Sequence, residues 1–307
     1  IAHQLAAVAE AIHAHPWLQK LIPRPVWAGL AATVGLSAFS NSNITAFGVR
    51  AAVGEVPVGK IGTSISKLPD SGVKLVPTVP TTVYHNPKSL TGLASRLNNE
   101  SGNIRLERYQ TARGSLVVMY LPGTSDWNPV ASNKAFDVRS DLELLGNGEK
   151  STSYRAANAA LDAFGVTSSD RLVVVGYSQG GMVASELAES HNNVDAIITM
   201  GSPIAKEEIP SNVKVISLEH SNDVVPALSG ATNPMTENWA TASRHIEVNP
   251  GETILKAHGM HEYVQTAALA DESTDSGLVR LRGEILKDFA GSTLLEAKEF
   301  APLKAAS

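Results

Sequence analysis

"VVVGYSQGGMVAS", residues 173–185, decides how the rest of this chain is read. Val173 to Val175 is a short continuous apolar run, which suits a strand buried on both faces, and it ends at Gly176. From Gly181 the segment "GMVASELAE" takes up helical spacing. Between them "GYSQG", residues 176–180, fits the pattern G-x-S-x-G. A five-residue match is weak by itself. With a strand running in and a helix running out, it predicts a sharp strand–turn–helix with Ser178 at the apex. Glycines at 176 and 180 let strand and helix pass close to the turn, and the helix N-terminus aims unpaired N–H groups at the place where Ser178 projects. The plainer alternative is a serine that only caps the helix.

Outward from this turn, strands alternate with helices. The pattern predicts strands at 104–109, 116–121, 172–175, 196–200, 213–218 and 245–248, with helices at 90–97, 153–164 and 181–190. Leu278, Leu281, Ile285 and Phe289 share one face of a further helix near the end. Runs such as "LVVV" and "AIITM" suit a sheet covered on both sides, so the expected class is α/β, a mostly parallel central sheet with helices on both faces. Ahead of it, residues 1–99 read as a helical N-terminal cap or appendage, with Ile1, Leu5, Val8 and Ile12 at helical spacing. Gly54 to Pro87 is an irregular, Gly/Pro-broken stretch that would serve as a lid or a docked cap. Residues 100–307 form the expected main domain.

Composition narrows the function. The 307 residues carry a formal net charge of −5 with 18% charged side chains and no Lys/Arg cluster, which sets nucleic acid and anionic membranes aside as partners. With no cysteine there is no disulfide, thiolate nucleophile or thiolate metal site. The most membrane-like run, Val26 to Phe39, is too short to span a bilayer and reads as a buried helix. "GEVPVGKI", residues 54–61, has the spacing of a phosphate-binding loop, but Ile61 stands where Ser or Thr is required. The chain starts at Ile1, which reads as a processed or trimmed start and leaves secreted, envelope and cytoplasmic locations all open.

A serine hydroxyl needs a base to become a nucleophile, and an acid to orient that base. After "VKVISL" the segment "EHSNDVVPAL" offers Glu219 and Asp223. Asp223, in a turn-like stretch, is favoured over Glu219, which abuts the strand end. For the base, "KAHGMHEY" offers His258 and His261, with His258 preferred because it follows a Gly/Pro loop; His245 sits in an expected strand, and His220 precedes the acid. In "VVMYLPGTSDW", a strand ends in a Pro122-Gly123 turn from which the Thr124 N–H can face that of Gln179 across an oxyanion. Asp126 and Trp127 would flank the pocket, and Trp127 suits an apolar acyl group.

These pieces together resemble the serine-dependent α/β-hydrolase superfamily, and more closely a lipase/esterase-like branch found in actinobacteria. The likeness rests on "PGTSDWNP", "VVGYSQGGMVAS", "TMGSPIA", "LEHSNDVVPAL" and "AHGMHEYVQTA" in this order, over about residues 100–270. It implies an α/β-hydrolase fold and a triad of Ser178, Asp223 and His258. It also implies Thr124 and Gln179 as oxyanion donors and hydrolysis of a small-molecule or lipid-like ester without metal or organic cofactor. Tyr177 stands where many relatives carry histidine and is expected to touch substrate. An acyltransferase using the same triad and a non-catalytic binding protein on the same fold are the rival expectations.

Overall fold

In a computed structural model, the structure describes residues 72–78, 85–97, 101–126, 132–137, 140–141, 143–144, 151–249, 252 and 254–305. The expected N-terminal helices, the apolar run 26–39, the near-miss loop 54–61, most of the stretch 54–87 and Trp127 lie outside the described residues.

The sheet has eight strands: β1 Val73–Thr78, β2 Ile104–Thr111, β3 Gly114–Leu121, β4 Arg171–Tyr177, β5 Val194–Met200, β6 Lys214–His220, β7 Trp239–Arg244 and β8 Thr293–Lys304. Their order is β1-β8-β2-β3-β4-β5-β6-β7. From β3 to β7 every pairing is parallel. From β1 through β8 and β2 to β3 every pairing is antiparallel. The class is therefore α/β, with a mostly parallel sheet. The described helices are α1 Leu90–Ala94, α2 Thr152–Phe164, α3 Gln179–Ser190, α4 Val224–Ala227, α5 Met260–Glu272 and α6 Ser276–Leu286.

The period-two alternation of a strand explains why the central strands are apolar throughout. Val117, Met119 and Leu121 of β3 and Leu172 and Val174 of β4 pack with Ala156, Ala160 and Phe164 of α2 and Val183 and Leu187 of α3. Their neighbours Leu116, Val118 and Tyr120, with Val173, Val175 and Tyr177, point the other way, toward Leu93 of α1, Tyr263 and Ala267 of α5 and Leu278, Leu281 and Ile285 of α6. Helix α2 is capped at one end by Ser151, whose side chain accepts from the Tyr154 N–H, and ends at Gly165 in the left-handed conformation.

Three sequence expectations change. Residues 73–78, inside the stretch expected to be irregular, form β1, the outer strand of the sheet, paired residue for residue with β8. Strand β8 itself carries Glu296, Lys298 and Glu299 among its apolar residues, a composition that reads as solvent-facing surface. The expected strand at 245–248 is displaced to β7, whose small residues Ala240 and Ala242 lie half-buried against the α5–α6 side. Beyond it, Ile246 pairs with a side chain: Asn222 donates to the Ile246 carbonyl at 2.8 Å and accepts from its N–H at 3.0 Å. A local alternation of polar and apolar residues survives there, because an amide side chain takes the place of the missing neighbour strand.

Candidate active site

The C-terminal ends of the parallel strands converge on Ser178. It is the only non-glycine residue with positive φ among the described residues, at φ 52° and ψ −118°. A side chain held in so sparsely populated a region costs about 1–3 kcal/mol, and the surrounding packing must impose it. Backbone contacts supply that packing: the Ser178 N–H donates to the Met200 carbonyl at 2.8 Å, and its carbonyl accepts from Gly181 at 3.0 Å. A Cβ on Gly176 would lie 2.3 Å from the Gly180 oxygen, and one on Gly180 would lie 2.3 Å from the Leu121 oxygen. Any larger residue at either position would push α3 off β4 and β3 and release the turn.

The acid and base arrive from later connections. Asp223 caps α4, and its Oδ1 accepts from the Val225 N–H at 2.9 Å. His258 closes a 3₁₀ turn, Ile254–His258, just ahead of α5. Its Nδ1 lies 2.6 Å from Asp223 Oδ2 and its Nε2 lies 3.0 Å from Ser178 Oγ. With the Asp223 carboxylate as acceptor, the Nδ1 position carries the proton, and Nε2 is left to receive one from the serine. Ser178, Asp223 and His258 are 6%, 2% and 2% exposed, so the three hydrogen-bonded side chains lie almost out of water, where hydrogen bonds to charged groups are strongest.

The structure also separates the alternatives left open by the sequence. His261 is exposed on α5 with only a 3.4 Å contact to Gln265, and His245 is exposed beyond β7. Glu219 accepts from Asn233 at 2.8 Å, while it is Asp223 that meets His258. His220 is buried, with Nδ1 2.5 Å from the Ala257 carbonyl and Nε2 2.7 Å from Thr266 Oγ1. Burial holds its imidazole below the ordinary histidine range, which suits a neutral, structural ring.

The loop after β3 crosses the serine directly: a Cβ added to Gly123 would sit 3.1 Å from Ser178 Cβ. Thr124 follows, half-buried, with its hydroxyl donating to Asp141 Oδ2 at 2.7 Å. Burial pushes the Asp141 carboxyl well above the ordinary range, a pressure the Thr124 hydroxyl opposes. Gln179 opens α3 with its side chain turned inward, where Nε2 donates to the Asp137 carbonyl at 3.1 Å. Asp126 is half-buried and bridges by its backbone to Asp137.

Tyr177, expected at the substrate, is 3% exposed: its hydroxyl donates to the His258 carbonyl, and its ring stacks on the His258 imidazole at 5.1 Å. As the last residue of β4 it points to the α5 face, which is where the base sits. Sequence reasoning also missed three supports: Asn222, Asp141 and Tyr263, whose hydroxyl donates to Asp223 Oδ2 at 2.6 Å. "SND" next to the acid is the one signal that pointed toward Asn222. Among the described residues there is no cluster of three or more His, Asp or Glu suited to a metal ion, and no helix long and apolar enough to cross a membrane. Compared with known proteins, the chain matches no family model and no curated protein.

Proposed function

We propose that the protein is a serine hydrolase of the α/β-hydrolase type that cleaves carboxylic esters through an acyl-enzyme. One observation carries this: a single imidazole, His258, bridges Ser178 Oγ at 3.0 Å and Asp223 Oδ2 at 2.6 Å, with the serine forced into a strained turn. In the mechanism, Ser178 Oγ attacks the ester carbonyl while His258 Nε2 takes its proton, and Asp223 stabilises the imidazolium that forms. The oxyanion is received by the backbone N–H groups of Gln179, at the start of α3, and Thr124, on the loop over the serine. Collapse expels the alcohol, protonated by His258. Water, deprotonated by the same nitrogen, then attacks the acyl-serine and releases the acid.

The test is mass spectrometry of the intact protein after fluorophosphonate treatment, with peptide mapping, comparing wild type with Ser178→Ala. One adduct on Ser178 is expected, and Ser178→Ala should lose at least about 10³-fold in ester turnover. Folded wild type without an adduct, or undiminished turnover in the variant, overturns the proposal. Adding competing alcohols or thiols to the turnover assay tells hydrolysis from acyl transfer by product.

A further inference from the structure

The next step rests on the reading of Ser178, Asp223 and His258 as a catalytic relay. Oδ2 of Asp223 serves two donors at once, His258 Nδ1 at 2.6 Å and the Tyr263 hydroxyl at 2.6 Å. Tyr263 is fully buried and its ring is slotted from two sides. The His220 imidazole stacks on it with centroids 3.9 Å apart and planes 15° from parallel, and a Cβ at Gly201 would come within 2.9 Å of the phenol. His220 in turn is tied to the Ala257 carbonyl, immediately before the base, so one ring fixes both the turn that carries His258 and the tyrosine that touches its acid. Burial, followed by the charge on Asp223, keeps the phenol well above its ordinary pKa, so it remains a donor at neutral pH.

A carboxylate oxygen that gives charge to one donor has less to give to another. We infer that Tyr263 is a positioning residue: by sharing Asp223 Oδ2 with His258 it holds the carboxylate in place and limits how strongly that carboxylate stabilises the imidazolium. Losing only the hydroxyl would leave Oδ2 to His258 alone and raise the histidine's pKa. The other titratable or charged groups facing the pair are Tyr177 from β4, Glu219 and His220 from β6 and Arg244 from β7, which is itself paired with Glu262 of α5.

The experiment follows the His258 imidazole by NMR across pH in the full chain, together with the pH dependence of fluorophosphonate labelling. It compares wild type, Tyr263→Phe and protein carrying a monofluorinated tyrosine at 263, a stronger donor. In Tyr263→Phe the His258 midpoint should rise by about half to one pH unit, with the acid limb of labelling moving alongside it. In the fluorinated protein it should fall. Midpoints that stay put, or move in the same direction in both, overturn the inference and leave Tyr263 a packing residue. If the midpoints move as expected while wild-type Ser178 stays unlabelled, Tyr263's hold on the pair stands and the hydrolase proposal falls. A labelled serine with unmoved midpoints gives the reverse.

Discussion

The two halves of the sheet are stabilised by different chemistry. From β3 to β6 the strands are mostly apolar on both faces, and the polar groups collect at their C-terminal ends, where Ser178, Asp223 and His258 meet. On the antiparallel side charge lies within the sheet. Glu107 of β2, fully buried, accepts from Arg105 at 2.8 Å, Tyr109 at 2.6 Å and Tyr120 at 3.1 Å, and pairs with Arg96 at 3.2 Å. Arg105 reaches on to Glu299 of β8 at 2.8 Å. One half holds its polar groups where a ligand can approach the sheet edge, as open α/β sheets commonly do. The other spends them on tying β2, β3, β8 and the loop after α1 together. A buried polar network with every group paired is compatible with a structural role as well as a catalytic one, so burial alone does not mark a site.

Substitutions on each side should separate these roles. The largest expected effect is on the parallel side: Asp223→Asn should lower kcat about 10⁴-fold, because the amide favours the wrong tautomer of His258. Its melting temperature should shift by only a few degrees, since asparagine still caps α4 at the Val225 N–H. A large loss of stability with activity retained per folded molecule would erase the contrast. On the antiparallel side, Glu107→Gln leaves Arg105 and Arg96 with less charge to pair and should cost about 3–5 kcal/mol in urea unfolding. Labelling of Ser178 in the folded fraction should be unaffected. A drop in labelling there would mean that the two halves are coupled.

The smallest effect concerns Glu207, in the loop after β5. Burial, with Glu189 and Glu186 of α3 nearby, pushes its carboxyl up to about 7. A carboxyl whose folded pKa lies above its unfolded one favours the folded state at low pH, and that advantage is lost as pH rises toward 7 and the buried group must ionise. Glu207→Gln should therefore melt higher than wild type at pH 8, by an amount near 1 kcal/mol or about 2–4 °C, with the difference closing toward pH 4. Equal melting curves at pH 8 would show that the charge is relieved by water.

The elements that bear on function were legible because each obeys a local rule. Strands β3 to β5 carry short continuous apolar runs and β6 a mostly apolar one, and the serine turn is bracketed by a strand signal, two glycines and a helix signal. Strands β1 and β8 were not legible. In β8, Glu296, Lys298 and Glu299 interrupt the apolar residues, and only pairing with β2 buries Glu299 against Arg105. Strand β7 was placed a few residues late, because "HIEV" alternates more cleanly than "WATASR" while the actual ladder belongs to the latter.

By itself the sequence determined the α/β class and the serine turn, since period, glycine placement and short apolar runs act through near neighbours along the chain. It also narrowed the acid to Glu219 or Asp223 and the base to His258 or His261. Choosing between them was left to the tertiary structure. Residues 178, 223 and 258 come from three separate connections, and only packing of α5 against the sheet turns His258 inward and His261 out. The same packing decides that Tyr177 backs His258, and that Tyr263, 40 residues from Asp223, shares its carboxylate. A side chain's charge and hydrogen-bonding capacity are written in the chain, whereas its partners depend on distances that only the folded sheet brings within 3 Å.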